Sequence, residues 1–352
     1  MIRTKIAGIG KYLPEQVVTN HDLAQYMDTT DEWIQERTGI KERRYAVKHH
    51  ETTTTMGAAA ARQAIERAGI TKEDIDFIVF ATISSDYYFP GCGVLVQREL
   101  GISKGEIGAL DIRNQCSGFV YGLEVVDQFI KAGKYKNILF ICSEMHSMGM
   151  DFRTEGRDVS VIFGDGAAAL VLQPTDDETT GILTTHVHSD GTHAEELSLM
   201  NPGCHGGYHV GTEKFGYPDT DKFGGVFVTQ TMIDEYMFSP YMNGKLVFKH
   251  AVTKFPEVIK EALDAAGFTT ADIDMFIPHQ ANLRISQFVQ KRLGLPDDRV
   301  FNNIQKYGNT TAASIPIAMC EAWEEGKIKK GDLVCVAAFG SGFTWGSGLI
   351  RW

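Results

Sequence analysis

A stretch of the chain recurs 198 positions later, and this internal repeat limits the folds open to the chain. Residues 64–77, with the sequence AIERAGITKEDIDF, correspond to residues 262–275, ALDAAGFTTADIDM. Each copy has the pattern of a helix, a glycine that ends it, an acidic turn and an apolar strand. A second pair, residues 132–136 and 325–329, lies 193 positions apart, and each member precedes an apolar run. Two separate matches indicate a duplicated chain, although chance convergence of helix-ending sequences would give the same pattern.

Helices that alternate with continuous apolar strands predict parallel sheets covered by helices. We therefore expect two related α/β halves joined face to face, residues 1–180 and residues 244–352, with the functional site between them. Residues 190–243 differ in character because they are rich in Gly, His, Tyr and Phe and lack periodicity. This segment is predicted to be an insertion between the halves.

Charge and cysteine usage exclude several classes of protein. The 352 residues carry a formal net charge of −11, which disfavours a general affinity for nucleic acid or for anionic membranes, so any basic patch must be local. No run approaches the roughly 20 apolar residues that a membrane span needs. The six cysteines are dispersed without a Cys-x-x-Cys pair, which argues against a disulfide framework or a structural zinc site. We expect a soluble, untargeted, cytoplasmic protein.

Cys116 lies where a strand-like run, residues 107–112, gives way to apolar residues at helical spacing. The unsatisfied backbone N–H groups and the positive end of the dipole at a helix N-terminus favour a thiolate and can hold an oxyanion. Cys116 is therefore a candidate nucleophile. A buried structural thiol explains the same local pattern.

Two further polar residues follow apolar strands in the second half. His279 comes directly after residues 275–278, and Asn309 falls on Cys116 if the 193-residue register of the repeat holds through the preceding helices. Ligands bind outside the carboxyl ends of strands in parallel α/β sheets, so these side chains are expected to meet, although a lone His at a turn is more often structural. Cys, His and Asn together can perform acyl transfer. The glycine-rich residues 339–346 allow close approach of backbone to substrate, or form a simple tight turn.

Five motifs in the same order resemble the β-ketoacyl-acyl-carrier-protein synthase III family. They are Cys-Ser-Gly-Phe at 116–119, Phe-Gly-Asp-Gly-Ala at 163–167, Pro-His-Gln-Ala-Asn-Leu-Arg at 278–284, Gly-Asn-Thr-Thr-Ala-Ala-Ser at 308–314 and Gly-Phe-Thr-Trp-Gly-Ser at 342–347. The resemblance implies a thiolase-like α/β fold, in which two duplicated halves form a layered αβαβα arrangement. It also implies a homodimer that joins an acyl-CoA primer to a malonyl thioester on acyl carrier protein by decarboxylative Claisen condensation, with no metal and no further cofactor.

The resemblance assigns roles residue by residue. Cys116 matches the acylated nucleophile, and His279 and Asn309 match the pair that holds the malonyl thioester oxygen as carbon dioxide leaves. The backbone N–H groups of Cys116 and Ser341 match the oxyanion hole for the acyl group. Phe343 matches the aromatic ring beside the reacting carboxylate.

The same resemblance implies a coenzyme A site near the N-terminus. It would consist of Thr29, Trp33, Arg37, Arg157 and Asn282, with Trp33 stacked on adenine and the guanidinium groups facing the nucleotide. Without the family, Trp33 is more simply a helix residue packed on the core.

Four basic residues align with the surface on which the family docks its acidic carrier. They are Lys249, Arg284, Lys291 and Arg292. On a chain of net negative charge, such a patch would steer a polyanionic partner. A solvated helix face is the other interpretation of the same residues.

Several departures from the family pattern bear on the substrate. Asn114 and Gln115 precede the nucleophile where small residues are common, Asp158 stands where Gly is common, and residues 190–243 are longer than the family pattern, near the acyl pocket and the dimer contact. A medium, long or aryl primer is therefore open beside acetyl.

Two other functions remain open at this stage. One is a related transferase that condenses two acyl chains or passes the acyl group to a hydroxyl or amine, and the other is a non-catalytic acyl-binding protein. The inserted residues His193, Cys204, His205 and His209 lack the spacing of a metal site, and no metal is expected.

Overall fold

Two mixed β-sheets carry the fold. The computed structural model of the protein describes residues 2–203, 227–228 and 230–352. The strands are β1 (Arg3–Tyr12), β2 (Gln16–Thr19), β3 (Glu42–Tyr45), β4 (Phe77–Ala81), β5 (Gly108–Ile112), β6 (Ile138–Glu144), β7 (Gly166–Thr175), β8 (Gly181–Ser189), β9 (Leu197–Ser198), β10 (Tyr241–Met242), β11 (Met275–Pro278), β12 (Leu333–Gly340) and β13 (Thr344–Arg351). The helices are α1 (Asn20–Leu23), α2 (Asp31–Thr38), α3 (Thr53–Arg67), α4 (Cys92–Leu100), α5 (Gly118–Lys131), α6 (Arg157–Ser160), α7 (Gln230–Asp234), α8 (Gly244–Ala266), α9 (Leu283–Leu293), α10 (Ile304–Tyr307) and α11 (Ser314–Glu324).

The strand order of the two sheets repeats. The first sheet has the order β1-β7-β6-β4-β5 and the second has the order β8-β13-β12-β11. A single parallel bridge between Phe276 and Val300 stands where the second sheet would have its fifth strand. The paired segments of the sequence repeat fall on equivalent elements, because residues 64–77 lead into β4 and residues 262–275 lead into β11. Strand β8 belongs to the second sheet, although it precedes the insertion.

Both sheets are mixed, so the expectation of purely parallel sheets is wrong in part. Strands β4, β5 and β6 are parallel, whereas β7 runs antiparallel to β6 and to β1. In the second sheet β12 and β13 are antiparallel. Only residues 341–343 connect them, and so short a connection cannot make the crossover that parallel strands require.

Helices and sheets alternate in five layers, which confirms the predicted αβαβα arrangement. The central helices α5 and α11 bury residues such as Leu123 and Met319 together with Phe140 of the first sheet and Val336 of the second. Helices α3 and α4 cover the outer face of the first sheet. Helices α8 and α9 cover the outer face of the second. The strand ends that face each other across the central layer are therefore held in fixed positions by a continuous apolar core.

The described residues contain no helix that is both long and apolar enough to cross a membrane.

Candidate active site

Cys116 lies in the 3-10 turn Gln115–Ser117, between the end of β5 and the start of α5. The backbone of Gln115 is left-handed, with φ of 46°, which turns the chain sharply before the cysteine. The hydroxyl of Ser117 donates to the carbonyl of Thr344 at 2.9 Å and ties this corner to the second sheet. Cys116 itself is 9% exposed. The thiol therefore stands at the predicted strand-to-helix corner, close to the other half of the fold.

The end of β12 packs directly against the cysteine. A Cβ atom on Gly340 would lie 2.5 Å from Cβ of Cys116 and 3.1 Å from its sulfur, so only glycine fits there. The backbone N–H groups of Ser341 and of Cys116 act as donors toward the sulfur and lower the pKa of the thiol. The side chain of Ser341 is turned away, since its hydroxyl donates to the carbonyl of Leu197. Two backbone donors thus converge on the position where an acyl oxygen would develop charge.

His279 follows β11, and its ring is buried with one nitrogen partnered and the other not. Its Nδ1 lies 2.6 Å from the hydroxyl oxygen of Ser314, which also accepts a hydrogen bond from the backbone N–H of Gln280 at 3.2 Å. Its Nε2 has no partner within the described ranges. Burial lowers the pKa of His279 to about 3, so the ring is neutral at physiological pH.

Asn309 lies at the corresponding corner of the second half. Its backbone bonds to residues 162–164, because its N–H donates to the carbonyl of Ile162 at 2.9 Å and its carbonyl accepts from Gly164 at 3.1 Å. Its side-chain oxygen accepts from the backbone N–H of Thr311 at 2.8 Å. With the oxygen occupied, the Nδ2 group is the end of the amide that can donate to a ligand.

The register that pairs Cys116 with Asn309 is wrong by three residues. The left-handed residues Gln115 and Thr311, with φ of 46° and 48°, mark the equivalent corners, so Cys116 corresponds to Ala312. Helix α11 has 11 residues where α5 has 14, so the separation falls from 196 at the start of these helices to 193 at their end. Asn309 lies two residues before the left-handed Thr311, and it nevertheless lines the same cavity as Cys116.

Cys116, His279, Asn309 and Ser341 all line one cavity of about 360 Å³. Phe339 lines it, whereas Phe343 lies one layer behind, with its ring 5.0 Å from that of Phe339. The structure thus brings together four of the five residues predicted to act at one place, whereas the fifth, Phe343, does not line the cavity.

Burial dominates the electrostatics of the thiol. It raises the pKa of Cys116 to about 12, and the charge of the Glu144 carboxylate adds to this rise. The N–H groups of Cys116 and Ser341 lower the pKa but do not offset the burial. The expectation that the helix N-terminus makes a thiolate is therefore not met, because desolvation of the anion outweighs the nearby donors.

Three residues of the predicted coenzyme A site form one cluster, and Asn282 connects this cluster to the cavity. The guanidinium carbons of Arg37 and Arg157 lie 4.2 Å and 5.1 Å from the centre of the Trp33 ring. The side-chain amide of Asn282, which lines the cavity, donates to the carbonyl of Arg37 at 2.8 Å. Thr29 comes just before α2, and its hydroxyl is buried without a hydrogen-bond partner among the described residues.

The four predicted docking residues lie on two helices in contact, α8 and α9. Lys249, Arg284, Lys291 and Arg292 are all exposed. None of the four forms an ion pair within the part of the chain that the structure describes. Arg284 and Arg292 flank the exposed ring of Phe288 at helical spacing, so they form one stripe.

Two residues of the site were missed by sequence reasoning. Ser314 was part of a quoted motif, but only its contact with His279 shows its importance. Glu144, the last residue of β6, is fully buried and accepts from the hydroxyls of Thr82 and Ser84 and the N–H of Ile83. Burial raises its pKa to about 7. A carboxylate that ends an apolar strand was the available signal for Glu144.

In the residues that the structure describes, no three His, Cys, Asp or Glu side chains stand where they could hold a metal ion. Cys204, His205 and His209 of the inserted segment lie outside the described residues. His193 instead packs its ring 4.8 Å from that of His250.

Comparisons with known proteins agree with this geometry. Residues 110–191 match the family model described as 3-oxoacyl-[acyl-carrier-protein] synthase III, and residues 263–352 match the model of its C-terminal part. The chain is 43% identical over 354 residues to a β-ketoacyl-[acyl-carrier-protein] synthase III from Rhodospirillum centenum, with 100% of this chain and 99% of that protein covered. A similar protein from Acidiphilium cryptum is 41% identical over 352 residues, with both chains covered in full.

Solved structures give the same result. The 3-oxoacyl-[acyl-carrier-protein] synthase III from Aquifex aeolicus has a TM-score of 0.84 at 41% identity, covering 99% of this chain and 100% of that one. A priming β-ketosynthase from the R1128 polyketide pathway also has a TM-score of 0.84, at 30% identity, covering 99% of this chain and 96% of that one.

We predict that the alkylation rate of Cys116 by iodoacetamide rises about tenfold for each pH unit from pH 7 to pH 9, without a plateau. The reason is that a thiol with a pKa of about 12 gains thiolate in proportion to hydroxide throughout this range. The rate is read from the mass of the peptide that contains Cys116, and Cys116→Ala supplies the blank. A plateau near pH 8 would show that the site stabilises the thiolate after all.

Proposed function

Because the chain belongs to the β-ketoacyl-[acyl-carrier-protein] synthase III family of condensing enzymes, we propose that Cys116 takes an acyl group from acyl-CoA and delivers it to a malonyl thioester on acyl carrier protein. The chain is an acyltransferase of the thiolase fold. The observation that carries the residue assignments is the meeting of Cys116, His279, Asn309 and Ser341 around one cavity.

The first half-reaction is a thioester exchange. The sulfur of Cys116 attacks the acyl carbon of acyl-CoA, the carbon–sulfur bond to coenzyme A breaks, and the thiol proton ends on coenzyme A. The oxygen that becomes negative is met by the N–H groups of Cys116 and Ser341. A thioester replaces a thioester, so the step needs little driving force beyond this stabilisation.

The second half-reaction loses carbon dioxide from the malonyl group. The electron pair of the broken carbon–carbon bond becomes an enolate, whose carbon attacks the acyl group and releases Cys116, which regains a proton. The enolate oxygen needs donors rather than a base. A neutral His279 with its proton on Nε2, together with the Nδ2 group of Asn309, can supply two.

Mass spectrometry of the intact protein tests both half-reactions. After incubation with an acyl-CoA, the wild type should gain the acyl mass, whereas Cys116→Ala and Cys116→Ser should not. His279→Ala and Asn309→Ala should gain it but lose malonyl decarboxylation by on the order of 10²- to 10³-fold, as for other oxyanion-hole donors. Equal loss of both half-reactions in His279→Ala would instead identify His279 as the base that activates the thiol.

We predict that Ser314→Ala slows decarboxylation on the order of tenfold or more while acylation of Cys116 continues. The Gln280 N–H occupies one lone pair of the Ser314 oxygen, which leaves the hydroxyl proton free to point at Nδ1 of His279 and so place the ring proton on Nε2. Ser314→Thr, which keeps the hydroxyl, should restore the rate. Ser286→Ala, which removes a hydroxyl bonded to Asn302 at 2.6 Å, is the control. Equal rates in Ser314→Ala and the wild type would contradict this role.

Acyl carrier protein is proposed as the partner at the surface formed by Lys249, Arg284, Lys291 and Arg292. Their exposure supports this proposal, as does the lack of an ion pair for any of them in the described ranges. An acidic carrier would be drawn to these cations against a repulsive net charge of −11.

The charge reversal Arg284→Glu with Arg292→Glu should raise the apparent KM for carrier-bound malonyl and leave acylation by acyl-CoA nearly intact. The effect should shrink at high salt, because the Debye length is roughly 8 Å at about 0.15 M and shorter above it. Lys329→Glu with Lys330→Glu changes the net charge equally at another exposed site and is the control. If both half-reactions fall together at every salt concentration, the surface has a structural role.

A homodimer and a cytoplasmic location complete the proposal. Strand β5 is the outer strand of its sheet and presents Leu110, and the nearby Tyr87, Tyr88 and Phe89 are exposed. An open strand edge beside exposed aromatic rings is a surface that proteins usually cover.

A further inference from the structure

The cavity that contains Cys116 has a polar wall. Among the residues that line it are Arg113 and Gln115, which stand just before the nucleophile in the chain. Neither side chain forms a hydrogen bond or ion pair with any residue that the structure describes. Both therefore have donors that no described residue occupies and that a ligand in the cavity could use.

Arg113 and Ile83 line the same cavity, and the pairing of the strands before them brings them close together. Strands β4 and β5 pair with Ala81 opposite Ile112, and the N–H of Thr82 donates to the carbonyl of Ile112 at 3.2 Å. Thr82 and Arg113 directly follow these two strands, so Ile83, one residue further on, leaves the sheet close to Arg113. Ile83 also lines a second cavity of about 800 Å³, in which Trp33, Arg37 and Asn282 of the predicted coenzyme A site take no part.

The charge of Arg113 is not neutralised by its neighbours. The carboxylate of Asp111, two residues earlier, accepts from the N–H groups of Cys92 at 2.5 Å and Gly93 at 2.8 Å and forms no ion pair with Arg113. Arg113 is exposed, and unlike the exposed Arg284 and Arg292, which also form no ion pair within the described residues, it lines the cavity that contains Cys116. A plain alkyl chain laid against the guanidinium would remove water from the cation and return no hydrogen bond.

We propose that the preferred primer is a dicarboxylic acyl group, bound as its CoA monothioester, whose free carboxylate pairs with Arg113 and accepts a hydrogen bond from the amide of Gln115. A guanidinium matches a carboxylate in two parallel hydrogen bonds, which gives both strength and orientation. The inference rests on the proposed acylation of Cys116. The covalent step is the same thioester exchange, with the second carboxylate unchanged.

The test compares acylation rates of Cys116, by intact mass, for primers matched in carbon number. Succinyl-, glutaryl- and adipyl-CoA are set against butyryl-, pentanoyl- and hexanoyl-CoA. For at least one length, the wild type should favour the dicarboxylic primer by about 10- to 100-fold, the range expected for a hydrogen bond to a charged group. Arg113→Met should remove this preference while the alkyl primers still react, which also shows that the variant folds. Arg98→Met, which removes a cation from the wall of the second cavity, should retain the preference.

The same measurements distinguish failure of the primer proposal from failure of the proposed acyl transfer. If the wild type acylates Cys116 from alkyl primers as fast as from dicarboxylic ones, the primer proposal is wrong and the proposed acyl transfer stands. If the preference survives in Arg113→Met, or if Arg113→Met instead raises the KM for the malonyl thioester alone, Arg113 does not bind the primer and the proposal is overturned. If no primer acylates the wild type, the proposed function fails as well.

Discussion

The approach of β12 to Cys116 is the contact on which the site depends. Gly340 leaves no room for a side chain, and this lets the Ser341 N–H reach the sulfur from the other half of the fold. The central layer is also tightly packed next to the cysteine. A Cβ on Gly118, at the start of α5, would lie 3.1 Å from Cβ of Ala312 in the other half. Neither half alone could build the oxyanion hole, because one donor comes from each.

Burial at this junction has opposite effects on the two ionisable groups of the site. It raises the pKa of the Cys116 thiol to about 12 and lowers that of His279 to about 3, because each charged form loses water. A neutral imidazole suits a reaction that needs a donor at an enolate oxygen. A neutral thiol suits a step in which one thioester replaces another, provided that backbone donors stabilise the charge as it forms. The same desolvation therefore serves both half-reactions.

Much of the fold could be predicted from the repeat, and the errors have physical causes. Glycine stops and Thr–Asp turns are local signals, so residues 71–74 and 269–272 form matching capped turns before β4 and β11. The direction of β13 follows from its three-residue connection to β12, which was interpreted only as a glycine-rich corner, whereas the shorter α11 depends on tertiary packing. In the site, Cys116 and His279 could be proposed because each follows an apolar strand, Asn309 was proposed from the register of the repeat, and the family resemblance then assigned their roles. Ser314 was missed because a hydroxyl that orients a ring acts only through a contact between distant elements.

The left-handed backbone at Gln115 and at Thr311 is a requirement of the fold and not of the chemistry. Gln115 stands before the nucleophile, and Thr311 occupies the equivalent place in a half that has no nucleophile, yet their φ angles are 46° and 48°. Strain that served catalysis would be expected at the first corner only. Its presence at both shows that the strand-to-helix turn itself requires this backbone. The side chains at the corners are then free to diverge. Both side chains line the cavity, but Thr311 bonds to the buried ring of His146 at 2.6 Å, whereas Gln115 has no hydrogen-bond partner among the described residues and can donate to a ligand.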